Sequence, residues 1–184
     1  MYLGLDLGTG LTKLAAAGRG ARPSLSVVPT AVSYRGLTSE IPAGFSDEAP
    51  PYGAVRCDGF PAMLDDGRAT RRVTAWQSRT PGEVSQGFLR CLLDDSNRTR
   101  PLGQQAELVV AVPPAERGTV SGQDAGTEVR DILTALGWAP RRLVAAPVAS
   151  LLQLRRDLDK QILAPKGRYQ LRTDWQSSRV PIQR

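Results

Sequence analysis

The stretch Leu3-Gly4-Leu5-Asp6-Leu7-Gly8-Thr9-Gly10-Leu11-Thr12-Lys13 decides how the rest of the chain is read. Leu3, Leu5 and Leu7 alternate with Gly4 and Asp6, the two-residue period of a strand with one face in a core. Gly8 and Gly10 bracket Thr9, and glycines in that arrangement predict a tight hairpin turned through backbone of positive φ. Leu11 to Ala17 is expected to return antiparallel. The result is a carboxylate at the end of a strand, followed by a turn of small residues that an anion can approach. Each part has a use in phosphate chemistry. The N–H groups of Gly8, Thr9, Gly10 and Leu11 form a concavity for an anion, and the Thr9 hydroxyl adds a donor. Lys13 brings a point charge, and Asp6 can hold a magnesium ion through water. An ordinary hairpin, with Asp6 capping the turn and Lys13 solvated, uses the same residues and stands beside that reading.

The chain has 184 residues, of which 41% are hydrophobic and 23% charged, a balance typical of globular proteins with one good core or two small ones. No apolar run approaches the span of a bilayer, and the sequence opens on a strand rather than on a charged head and apolar core, so no membrane partner and a cytoplasmic location are expected. Cys57 and Cys91 lack metal-type spacing and there is no histidine to complete a site, which makes them reduced packing residues. The net charge of +6 is unevenly spread: residues 1 to 139 hold 14 basic and 15 acidic side chains, residues 140 to 184 hold 10 and 3. A near-neutral body argues against nucleic-acid binding.

Leu25 to Tyr34 reads as one extended segment, and Pro29 marks it as an edge strand. Residues 36 to 67 are rich in Gly, Pro and Asp and predict a loop-rich insertion with short extended pieces such as Tyr52 to Cys57. Ser78 to Asp95 predicts a helix with Thr80 as N-cap, Pro81 at its first position and Glu83 closing a capping box. Val84, Phe88, Leu89, Leu92 and Leu93 then fall near one face. Glu107 to Pro113 is an apolar run with the signature of an interior strand buried on both faces. A helix is expected within Ala115 to Leu136, starting near Ser121 or later because of three early glycines, with Val129, Ile132, Leu133 and Leu136 on one face and Gly137 at its C-cap. Arg141 to Ala145 reads as the next strand and Pro147 to Asp157 as the next helix. This alternation predicts an α/β layer.

The opening motif resembles the first phosphate motif of the actin, heat-shock chaperone and sugar-kinase superfamily, D-x-G-[ST]-x-x-x-K in its actin-like form. Asp6, Gly8, Thr9 and Lys13 fall on the matching positions. A second anchor lies downstream. Chaperones of the heat-shock protein 70 (DnaK) type carry a strand ending V-P, a helix, a glycine and then R-[IL]-[IV]-N-E-P-x-A-A-A. Here Ala111 to Pro113 reads A-V-P, and G-W-A-P-R-R-L-V-A-A-P-V-A-S-L runs from Gly137 to Leu151. The resemblance covers about residues 1 to 35 and 78 to 154.

It implies a ribonuclease H-like, actin-like ATPase lobe, a mixed sheet flanked by helices, over residues 1 to 160, with residues 36 to 77 as the insertion; residues 161 to 184, polar and basic with no sustained period, read as a disordered tail or an out-of-frame end. It implies ATP and Mg2+ as cofactors, with Asp6 at the magnesium water shell, the backbone of Gly8, Thr9, Gly10 and Leu11 at the phosphates, Lys13 on the phosphates and Pro113 as a hinge. Client or co-chaperone proteins are the partners it implies. An actin-like filament or plasmid-segregation protein is the alternative, favoured by Lys13.

The chain also departs from the pattern. Ala146 stands where the family has the glutamate that positions metal and attacking water, and Ala145 where it has asparagine. Alanine can neither accept a proton nor orient water. No residue is assigned to the family's insertion lysine, although Arg71 or Arg72 could bring charge. Nothing after Leu154 resembles the second lobe, so truncation and a non-catalytic remnant are further expectations, and an uncovered half-lobe would tend to self-associate.

Overall fold

A computed structural model of the chain describes residues 1–18, 24–36, 41–45, 49–64, 68–99, 106–112 and 125–145. In chain order the strands are β1 (Tyr2–Leu7), β2 (Leu11–Ala17), β3 (Ser24–Pro29), β4 (Ala31–Arg35), β5 (Gly44–Phe45), β6 (Ala54–Asp58), β7 (Glu107–Val112) and β8 (Pro140–Ala145), with helices α1 (Pro81–Thr99) and α2 (Ala125–Ala135). They make an α/β protein with a mixed five-stranded sheet, order β3-β2-β1-β7-β8, and a three-stranded sheet, order β5-β4-β6. β1 pairs antiparallel with β2 and parallel with β7, and β7 pairs parallel with β8.

The alternation read in the opening stretch sets which face is inside. Leu3, Leu5 and Leu7 are buried, as are the residues across from them, Ala16, Leu14 and Thr12 on β2 and Leu108 and Val110 on β7. α1 and α2 pack against each other and share one core with these side chains. The opposite face carries Tyr2, Leu11, Leu25, Val27 and Val109, all exposed. The expectation of a strand covered on both faces at 107 to 113 is therefore corrected. β7 is interior to the sheet, but only Leu108, Val110 and Val112 are buried, and Val109 is 36% exposed because the described helices add to the core on one side.

A second correction concerns Leu25 to Tyr34, which is two strands rather than one. The chain leaves the large sheet at Thr30: β3 pairs with β2, whereas β4 pairs with β5 and β6 in the small sheet. Thr30 is pinned at that point, its N–H donating to the Gly10 carbonyl at 2.9 Å and its hydroxyl sharing a buried 2.7 Å hydrogen bond with the Thr12 hydroxyl. The small sheet thus begins at Ala31, ahead of the loop-rich segment expected from residue 36, and is followed by short 3-10 turns at Phe60–Met63, Arg68–Thr70 and Thr74–Trp76.

α1 begins as its sequence dictates. The Glu83 N–H donates to Thr80 Oγ1 at 3.1 Å and the Thr80 N–H donates to Glu83 Oε2 at 2.8 Å, the reciprocal bonds of a capping box. Val84, Phe88, Leu89, Leu92 and Leu93 are all buried. Phe88 packs its ring 5.4 Å from both Phe45 on β5 and Phe60 in the 3-10 turn that follows β6. One residue back on the same helix, Gly87 meets β4 so closely that a Cβ there would lie 2.0 Å from Tyr34 Oη. Tyr34 cannot easily retreat: it is buried, and the Arg79 guanidinium sits 4.2 Å over its ring while donating to the Gly36 carbonyl at 2.7 Å.

α2 ends in a Schellman arrangement, with Gly137 at φ +83 donating to the Thr134 carbonyl and Trp138 donating to the Leu133 carbonyl. Val129 and Leu133 are buried, and Ile132 and Leu136 pack against the core. The helix starts at Ala125. Residues 113 to 124 lie outside the described residues, as do Pro113, Ala146, the helix expected at Pro147 to Asp157 and the basic segment 161 to 184.

Candidate functional site

The candidate site is the β1–β2 turn and the residues beside it. β1 and β7 run parallel and side by side, so the turn after Leu7 emerges next to Val112 at the carboxyl end of β7. Ligands of open α/β sheets bind outside the carboxyl ends of parallel strands. The β1–β2 register places Asp6 directly across from Lys13. Their side chains rise from the same open face, and Lys13 Nζ donates to Asp6 Oδ2 at 3.1 Å, with Lys13 52% and Asp6 39% exposed. Across the sheet the same row continues through Val27 on β3, Ala111 on β7 and Val144 on β8.

The turn works differently from its sequence expectation. Neither Gly8 nor Gly10 is left-handed; among the described residues the left-handed glycines are Gly36, Gly53, Gly59 and Gly137. Gly8 is required for another reason, since a Cβ there would lie 2.5 Å from the Leu11 carbonyl oxygen. At Gly10 nothing lies within 4 Å of an added Cβ, and the residue is held instead by its bond from Thr30. Thr9 and Leu11 are exposed, which leaves the hydroxyl and the turn backbone accessible.

Thr12 and Thr30 are the contributors that periodicity missed. Their buried hydroxyl pair lies directly behind the turn and fixes where β2 and the start of the small sheet meet. The only sequence signal was the Pro29-Thr30 pair at a strand end. Arg72 donates to the Ser78 carbonyl at 2.9 Å, ahead of α1.

The donor set suits a polyphosphate better than a bare metal. Among the described residues no group of three or more His, Cys, Asp or Glu side chains comes together, so Asp6 by itself can hold a cation only weakly and through water. A polyphosphate would bring the missing oxygens. The exposed Asp6–Lys13 pair is of the kind worth ~0.2–1 kcal/mol, so exchanging it for a magnesium ion and a phosphate costs little. Among the described residues no helix is long and apolar enough to cross a membrane. No family model matches the chain, and no curated protein matches its sequence.

Proposed function

We propose that this chain binds ATP with magnesium through the β1–β2 turn, as the first lobe of an actin-like, chaperone-type ATPase. The carrying observation is the 3.1 Å meeting of Asp6 and Lys13 on the accessible face at the carboxyl end of the parallel pair β1 and β7. In this reading Lys13 turns from Asp6 to the phosphates, Asp6 is released to the water shell of the ion, and the backbone of Gly8, Thr9, Gly10 and Leu11 with the Thr9 hydroxyl lines the polyphosphate. Pro113 is the hinge of this proposal. Binding is proposed rather than turnover, because Ala146 occupies the position of the family's water-positioning glutamate. Client proteins and co-chaperones belong to the same reading as partners.

Lys13 also favours the actin-like alternative, in which nucleotide drives filament formation. Light scattering on nucleotide addition separates the two.

Thermal unfolding with and without magnesium ATP tests the site. A ligand that binds the folded state alone stabilises it by about 2.7 kcal/mol at one hundred times its dissociation constant. Asp6→Ala is expected to abolish the magnesium-dependent part of the shift while the apo melting temperature stays close to that of the parent. No shift at millimolar magnesium ATP, or a full shift retained in Asp6→Ala, defeats the proposal.

A further inference from the structure

The peptide that joins Gly10 to Leu11 has two edges that face opposite ways. On one edge the Gly10 carbonyl accepts the Thr30 N–H at 2.9 Å. The peptide is trans, so the Leu11 N–H is directed away from Thr30, toward β1 and the hollow of the turn. The Leu11 carbonyl agrees: it faces Gly8, where an added Cβ would lie 2.5 Å from its oxygen, and the two backbone groups of one strand residue leave the strand on the same side. Ladder alternation agrees as well, since Gly10 bonds toward β3 and Leu11, one residue on, turns to β1. A two-residue hairpin ordinarily closes at this point with a bond from that N–H to the carbonyl across from it. Among the described backbone hydrogen bonds, none runs from Leu11 to Gly8.

Behind this peptide stands the point where the chain changes sheets. Thr30 is buried, and its hydroxyl is held by the buried Thr12 hydroxyl at 2.7 Å. The next residue, Ala31, opens β4, which pairs with β5 and β6 in the small sheet. The Leu11 N–H, the Gly10 carbonyl and the Thr30 N–H therefore lie in series, with the turn at one end and the small sheet at the other. An anion on the Leu11 N–H draws charge along the peptide and makes the Gly10 carbonyl a better acceptor. Hydrogen bonds in series strengthen one another by about 10–30% per bond.

We propose that Thr30 is a positioning residue for the anion-binding turn: locked by Thr12, it holds the Gly10–Leu11 peptide so that the Leu11 N–H meets a phosphate oxygen, and an anion bound there tightens the start of the small sheet in return. The proposal rests on the phosphate reading of the turn and adds to it a means of regulation. Coupling between two sites is reciprocal, so whatever steadies or loosens β4 at Ala31 changes the affinity of the turn. Thr30 touches no ligand itself; it acts through the Gly10 carbonyl.

Nuclear magnetic resonance of the isotope-labelled full chain reads the series directly. Magnesium triphosphate, which carries no aromatic ring to shift protons by itself, is expected to move the Thr30 amide proton downfield, the mark of a stronger hydrogen bond. The shift should exceed that of Val28, which stands across from Thr12 in the same ladder with no anion behind its partner. Thr12→Val/Thr30→Val replaces both hydroxyls by apolar groups of the same shape, a change that leaves stability nearly intact. Its affinity for magnesium ATP is expected to fall by about fivefold or more, the lower end of usual coupling between sites, with the unliganded melting temperature close to that of the parent. Thr30→Ser keeps the hydroxyl and should bind as the parent does. A Thr30 shift no larger than that of Val28, or a folded double variant with parental affinity, overturns this proposal alone. No thermal shift with magnesium ATP and no change at the Gly8 to Leu11 amides with triphosphate defeats the phosphate reading and this proposal with it. The amide shifts of the parent chain decide the matter if the double variant fails to fold.

Discussion

Replacing Gly87 by alanine sets two opposed effects against each other, and the structure says which is larger. In a helix interior, alanine is favoured over glycine by roughly 0.8–1 kcal/mol. Here the new Cβ would lie 2.0 Å from Tyr34 Oη, 3.2 Å from Tyr34 Cζ and 3.3 Å from Pro42 Cγ. Ordinary contact requires the phenol to retreat by more than an ångström. Its burial and the Arg79 guanidinium over its ring hold it in place. Overpacking of this kind costs about 1–3 kcal/mol, and a contact this short belongs at the upper end. The net expectation for Gly87→Ala is a loss of about 1–2 kcal/mol, which for a chain of this size is a fall in melting temperature of roughly 2–8 °C. Tyr34→Phe removes the nearest atom and leaves only contacts that give by tenths of an ångström. In that background Gly87→Ala should become neutral or stabilising. Denaturant melts of the four members of the cycle measure the coupling directly. A Gly87→Ala chain as stable as its parent, or a cost unchanged in the Tyr34→Phe background, would falsify the account of how α1 seats on the small sheet.

Gly8→Ala should lower stability by about 1–3 kcal/mol and remove any ATP-dependent thermal shift, because its Cβ meets the Leu11 carbonyl oxygen, whereas Gly10→Ala should leave both nearly unchanged; equal effects at the two positions refute the role given to Gly8. Thr80→Ala removes the acceptor for the Glu83 N–H and should cost about 0.5–2 kcal/mol in urea melts, and an unaltered midpoint sinks the capping argument. Burial pushes the Cys57 thiol up to about 11 from an ordinary value of 9.0. The neutral thiol is favoured in the folded chain, so this contribution is whole below pH 9 and is lost as pH rises toward 11. Cys57→Ala should therefore flatten part of the alkaline decline in stability, and native Cys57 should resist a thiol reagent at pH 8 that modifies the unfolded chain.

What the sequence disclosed were the features set by near neighbours. Thr80 and Glu83 specify a helix start within one turn, Gly137 its counterpart's end, and Leu3, Leu5 and Leu7 the inner face of β1. Asp6 and Lys13 were each marked by the opening motif, but their standing directly across from each other is set by the β1–β2 register, which the motif does not state. What stayed hidden depends on distant partners. The division of Leu25 to Tyr34 between two sheets rests on Thr30 and Thr12, 18 residues apart, and no period records that bond. The glycine pattern predicts a positive φ at Gly8, whereas its constraint is a contact across the turn that no single-residue preference reveals. The run at 107 to 112 looked buried on both faces because valine and alanine are apolar wherever they point. Val109 and Ala111 in fact sit on the open side.

The parallel pairing of β1 with β7 sets a schedule for biosynthesis. Tyr2 must find Glu107, its neighbour in the sheet, across about a hundred residues of intervening chain. A ribosome adding about 5–20 residues per second delivers β2 almost at once but β7 only after about 5–20 seconds. For that interval the nascent hairpin presents one raw flank, the side of β1 that β7 will later occupy, and whatever guards it then must let go when Val110 arrives beside Leu5.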